Sequence, residues 1–244
     1  MSSPSPSPSL EAELARAREL DEAALADAIE SIGFECTRCG ACCKGYETCG
    51  SDGDEGDENQ QTSEREPHTA TVFPDEVRRL MAAGEDGTYD WRDVARPMPY
   101  GLSEGEAGTE GETFEWALQT DDCGDCTFYR ETEGTGACAV HDDRPLVCRT
   151  YPFSVALGGT SQPMGEAVDG EGMVRAHECE GLGRDISRAD AEELASALKA
   201  RAVRELEEAI GVRDNYRPTD TPGVVVHDSE GQKRPDGRPL DDGT

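Results

Sequence analysis

The sequence predicts an α+β fold with a small, irregular core and an amphipathic helix on each flank. Three observations carry that expectation. Apolar residues recur at helical spacing near both ends of the chain, and short alternating stretches between them read as strands. Hydrophobic content of 35% and aromatic content of 5% are low for a chain of 244 residues that must bury a core. A core that thin needs cross-links, and the sequence offers ten cysteines as staples.

Residues 1–9 repeat Ser and Pro and read as a disordered lead. From 10 to 33, Leu10, Leu14, Ala17, Ala24, Ala28 and Ile32 keep a loose helical spacing. Ser9 is the expected N-cap, with Glu11 and Glu13 in the first turn. The domain that follows spans 34–183 and is interrupted at about 50–66 by an acidic, Gly- and Gln-containing insertion almost without apolar side chains. A short helix is expected from Pro74 to Ala83, with Pro74 suited to the first position and Gly84 to the exit. Phe114, Trp116 and Leu118 alternate with polar residues and predict a strand. The stretch from Cys123 to Pro152 has little helical periodicity. Over 184–211, Ser187 and Asp190 form a capping box, and Leu194, Leu198, Leu206 and Ile210 mark a helix ending at Gly211. Residues 212–244 read as a Pro-, Gly- and Asp-rich tail around Val224, Val225 and Val226.

Charge narrows the function. With 53 acidic against 23 basic residues, the net charge of −30 repels phosphate backbones and argues against nucleic-acid binding. The acid is spread along the whole chain, as in a globular protein adapted to high salt, where screening removes most self-repulsion. The composition resembles that of haloarchaeal proteins. No secretory segment is apparent at Met1–Ser9, and no stretch reaches membrane-spanning length. A cytoplasmic location without a membrane partner is expected. In such a reducing compartment ten cysteines argue for metal or redox chemistry and against a disulfide framework.

The first cysteine block runs Cys36-Thr-Arg-Cys39-Gly-Ala-Cys42-Cys43. A C-x-x-C spacing lets two thiolates grip one ion while the intervening N–H groups point at the sulfurs. Cys42 and Cys43 are adjacent. Neighbouring side chains are expected to diverge, so the pair suits two nearby sites, or one ligand and one spare thiol. The ferredoxin run C-x2-C-x2-C-x3-C-P matches Cys36, Cys39 and Cys42 but not a fourth position. Cys126, Cys138, Cys148 and Cys179 bring the candidate ligands to eight, enough for two four-thiolate sites. Cys49 and Cys123 are left over, although Cys123 makes C-x-x-C with Cys126. A four-thiolate zinc site carries net negative charge. Arg38 and Lys44, and Arg144 and Arg149 beside Cys148, are the cations on hand; Arg38 and Lys44 are expected near sulfur. The α+β core is therefore expected to be metal-stapled.

These residues resemble a known family. Cys36-x2-Cys39-x2-Cys42-Cys43, Cys126-Thr-Phe128, Cys138, and Arg144-Pro145-x2-Cys148-Arg149-x-Tyr151-Pro152-Phe153 are similar to the CxxCxxCC cysteine-cluster family of YkgJ-like zinc- or iron-chelating domains, over roughly 34–183. The resemblance implies a metal-chelating domain, in some members labelled an Fe–S oxidoreductase. The flagellin lysine N-methylases look like relatives with a similar cluster, but nothing here resembles a methyl-donor site. Zinc and an iron–sulfur cluster both remain open, because thiolates suit each. His141 and His177 lie near the cluster and read mainly as supporting or surface residues; His68 and His227 sit in polar sequence. Around Arg149 and Tyr151 a structural role is the stronger reading. No Ser/His/Asp grouping, Walker loop or Rossmann fingerprint occurs, so no catalytic residue is assigned.

Overall fold

The computed structural model describes residues 8–45, 67–83, 89–105, 108–161, 167–169 and 172–240. Most of the Ser/Pro lead and the acidic insertion lie outside the described residues, as do Gly84 and Cys49. Helices and sheets are both present, and the fold is α+β.

Where one helix was expected over 10–33, two occur: α1 (Leu10–Arg18) and α2 (Glu22–Ile32). Ser9 caps α1 by accepting the Ala12 N–H at 3.3 Å. The break follows from Asp21, whose carboxylate takes the Ala23 and Ala24 N–H groups at 2.9 and 3.4 Å and so starts a new helix. Both helices lie on the C-terminal helix, and Leu14, Leu25, Ile29, Phe153, Leu198 and Leu206 fill the space between them. A three-stranded antiparallel sheet closes this first core.

Pro74–Ala83 forms α3, starting at Pro74 as expected. It packs with α4 (Trp91–Val94) beside a second sheet of β1 (Thr71–Val72), β2 (Ala95–Pro97) and β5 (Trp116–Leu118), in the order β1-β5-β2. The strand expected around Trp116 is present, yet its half-buried alternation is not. Trp116, Ala117 and Leu118 are all buried because both faces of β5 are covered, whereas Phe114 is exposed.

The expected tail of 212–244 is instead part of a sheet. β3 (Leu102–Gly105) and β4 (Gly108–Thr113) join β11 (Val224–Asp228) and β12 (Gly231–Lys233) in the order β12-β11-β4-β3, with β11 parallel to β4. Three valines in a row supply the strand, and buried Asp228 ties it to the second core by accepting the Trp116 indole N–H at 2.9 Å. His227, which the sequence left in a polar loop, is buried in β11 with its Nε2 2.8 Å from Glu112.

The hairpin β6 (Tyr129–Thr132) and β7 (Thr135–Cys138) packs on the second core, and α5 (Leu146–Thr150) lies between that core and the C-terminal helix. The first core's sheet is β8 (Phe153–Val155), β9 (Ala167–Asp169) and β10 (Val174–His177), ordered β8-β10-β9. The C-terminal helix α6 (Arg188–Asn215) starts at the expected cap, where Ser187 Oγ accepts the Asp190 N–H at 3.2 Å. It runs past Gly211, the expected stop. A Cβ at Gly211 would lie 2.6 Å from the Ser229 Cβ. This glycine therefore makes room for the β11–β12 turn and does not end the helix.

Candidate metal centre

The cysteine loop leaves α2 and is held first by the chain around Cys179. The Glu35 N–H donates to the Gly181 carbonyl at 3.0 Å, and the Gly183 N–H donates to the Gly33 carbonyl at 3.0 Å. This short antiparallel pairing, with Phe34 opposite Leu182, sets Cys36 beside the turn that carries Cys179. The Gly181 N–H approaches the Cys179 sulfur at 3.5 Å.

Further along, the loop docks on the β6–β7 hairpin. Arg38 and Gly40 both adopt left-handed backbone, at φ 57° and 78°. The Gly136 N–H donates to the Arg38 carbonyl at 2.8 Å. Gly40 lies flat on Tyr129, where a Cβ would come within 2.6 Å of the ring carbons. A Cβ at Gly136 would meet the Arg38 carbonyl oxygen at 2.7 Å. The loop then closes in a 3-10 turn over Ala41–Cys43, and the Cys43 carbonyl accepts the Cys126 N–H at 2.8 Å. Cys138 stands opposite Tyr129 in the hairpin, and Cys148 lies in the middle of α5. Cys43, Cys126, Cys138 and Cys148 all pack against the second core.

The eight candidate thiols Cys36, Cys39, Cys42, Cys43, Cys126, Cys138, Cys148 and Cys179 are all free. Cys126 is buried, Cys36 and Cys42 are exposed and the others are intermediate. Contrary to the expectation of divergence, Cys42 and Cys43 bring their sulfurs to 3.8 Å. The tight 3-10 turn swings the two neighbouring side chains to one side. With Zn–S bonds of about 2.3 Å, the edge of a thiolate tetrahedron is roughly 3.8 Å. The adjacent pair thus has the spacing of two ligands on one ion. Among the described residues, no three His, Cys, Asp or Glu side chains are gathered so as to hold an ion as they stand.

Electrostatics single out Cys42. Its hydrogen bond with Cys43, aided by a backbone hydrogen bond and by the charge of Arg144, lowers its thiol to about 7. Cys43 is pushed up by the same hydrogen bond and by burial. Burial raises Cys126 to about 11, and burial followed by the neighbouring thiolates holds Cys148 well above the ordinary thiol range. Cys138 is raised by burial and by Cys42, and Cys179 by burial with Cys39, Cys42 and Cys36. Cys42 therefore senses thiols on both sides of the loop. Most of these groups stay protonated without a cation, so a thiophilic ion would displace their protons on binding.

Other expectations shift. Lys44 pairs with Glu131 at 2.5 Å and lies over the Tyr129 ring, while Arg144 and Arg130 bring positive charge to Cys138. A carboxylate two residues into the facing strand outcompetes sulfur for Lys44. Cys123 is disulfide-bonded, a departure from the fully reduced set and the reason its C-x-x-C spacing with Cys126 supplies no ligand pair. It sits on a turn built by Asp121, which accepts the Cys123 and Asp125 N–H groups at 2.8 and 3.1 Å. His141 is exposed beside Asp142, and His177 is buried with Nε2 3.0 Å from Ser154 Oγ. Tyr151 donates its hydroxyl to the Glu178 carbonyl at 2.5 Å, steadying the approach to Cys179.

Two positioning residues carry no sequence signal. Glu76 is 2% exposed and accepts the Phe73 and Leu146 N–H groups at 3.2 and 2.9 Å, fixing the start of α5 just before Cys148. Arg201 of α6 is buried and bonds Thr150 and the Phe153 carbonyl three residues further on. Both look like ordinary helix-surface charges until the partner elements are known.

Free thiols on a loop tied by backbone pairing to the Cys179 turn and to the hairpin, with a vicinal pair at chelating distance, mark a cysteine-cluster domain. The chain belongs to the CxxCxxCC family, described as "Putative zinc- or iron-chelating domain", whose model matches residues 35–180. No curated protein and no solved structure matches the chain.

Proposed function

We propose that the chain chelates metal through two adjoining thiolate sets, and that the ions are mononuclear and zinc-like. Cys36, Cys39 and Cys179 make one side. Cys126, Cys138 and Cys148 make the other, where Cys42 and Cys43 share one ion. The observation that carries the choice of ion is the 3.8 Å separation of the Cys42 and Cys43 sulfurs. It suits two thiolates on one tetrahedral ion. A four-iron cluster takes one thiolate per iron, along bonds that point apart, and spreads its ligand sulfurs more widely.

Zinc held by thiolates alone is closed to substrate and contributes folding free energy. That role matches a chain whose own apolar content is low. Anaerobic purification followed by elemental analysis and visible spectroscopy tests the reading. A colourless protein carrying zinc is expected. A brown protein that bleaches with dithionite would replace zinc with an iron–sulfur cluster and with an electron-transfer role.

A further inference from the structure

A groove of about 490 Å³ opens between α3, α5 and α6. Its floor is apolar, with Phe73, Leu146 and Val203. Four basic side chains line it: Arg79, Arg149, Lys199 and Arg204. The whole chain has only 23 such residues against 53 acids, so this concentration is unusual for the molecule.

Two of the four are loosely paired: Lys199 lies 3.4 Å from Glu22 and Arg149 4.0 Å from Glu193. Arg79, 3.6 Å from Glu76, also donates to the Asp143 and Arg144 carbonyls at 3.4 Å. Several ion pairs elsewhere close to 2.5–2.6 Å, as at Arg78–Glu230 and Arg213–Glu11. Charge-assisted hydrogen bonds lie at about 2.7–2.9 Å, so Lys199 and Arg149 retain N–H donors able to take a better acceptor. Four acids also line the groove, and most are engaged. Asp75 holds Arg204 at 2.7 Å and Glu207 holds Arg18 at 2.8 Å, while Glu76 accepts two backbone N–H groups. Glu22 has only the long contact with Lys199.

We propose that this groove binds a small organic anion with at least two carboxylate or phosphate groups, its carbon body on Leu146 and Val203. Arg149 and Lys199 reach it from α5 and α6. The volume falls in the range of small-molecule sites, about 300–1,000 Å³. Arginine forks match carboxylate and phosphate oxygens in pairs. Elsewhere the net charge of −30 repels anions, so saturable anion binding has few other places to occur. The site does not depend on the metal reading, although Arg149 follows Cys148 directly.

Calorimetric titration of the full chain with succinate and with inorganic phosphate, at low ionic strength, tests the proposal. Saturable binding of one anion per chain is expected, and the stronger probe identifies the head group as carboxylate or phosphate. Arg149→Ala with Lys199→Ala should weaken it about tenfold or more, whereas Arg238→Ala, on the far exposed turn, should leave it unchanged. Lys199→Glu alone should also abolish it and guards against loss of the double variant to misfolding. Absence of saturable heat with both probes, or equal affinity in the folded double variant, would overturn the proposal.

Discussion

Arg201→Met removes the clamp between α6 and the segment that follows Cys148. The guanidinium, 3% exposed, donates to Thr150 Oγ1 at 3.0 Å and to the Phe153 carbonyl at 3.2 Å. It also reaches the Ser161 carbonyl at 3.0 Å and Glu205 at 2.8 Å. Its loss leaves the Glu205 side chain, 9% exposed, without its cation. Breaking a buried pair from one side costs about 3–5 kcal/mol. Glu205 keeps the Ser161 N–H at 3.1 Å, which places the expected cost near the lower end. At about 2–4 °C per kcal/mol for a chain of this size, the melting temperature should fall by roughly 10 °C. Replacing both partners, Arg201→Met with Glu205→Leu, should restore most of the loss, because no charge is then stranded. Thermal unfolding by circular dichroism at neutral pH reads all three proteins. A single variant melting within about 2 °C of the parent, less than 1 kcal/mol, or a double variant no better than the single, would refute the clamp.

Three further outcomes follow from the loop geometry. Gly136→Ala should push the Arg38 carbonyl off the hairpin, costing about 1–3 kcal/mol as overpacking does and lowering metal content; denaturant unfolding and elemental analysis measure both. In metal-free protein, Cys42 should alkylate first as pH rises through about 7, with Cys126 following only towards 11. The sign follows from a folded-state pKa below the ordinary thiol value: the stabilised thiolate is present at high pH and is lost as pH falls through 7. Peptide mapping that finds Cys126 modified before Cys42 would contradict this order. Cys123→Ser should leave the metal stoichiometry unchanged, since that sulfur is already bonded.

The parts legible in the sequence were those governed by neighbours in the chain. Pro74 fixed the start of α3, Ser187 capped α6, and the cysteine spacing led to the family that the match over residues 35–180 then established. The misread parts depended on partners far away. Gly211 continues its helix because Ser229 approaches it, and Val224–Val226 become a strand because β4 offers a parallel edge. Lys44 turns to Glu131 on the facing hairpin. Even the vicinal pair was misjudged from chemistry alone, since a 3-10 turn, not visible as a periodicity, brings its sulfurs together. Glu76 and Arg201 support the Cys148 segment from helices whose docking the sequence does not encode locally.

Native mass spectrometry of anaerobically prepared protein, paired with iodoacetamide labelling before and after a chelator, asks whether the free cysteines act together as metal ligands. Bound zinc ions are expected, with the eight free thiols protected until the chelator removes the metal. A metal-free mass with all eight thiols labelled at once would contradict this.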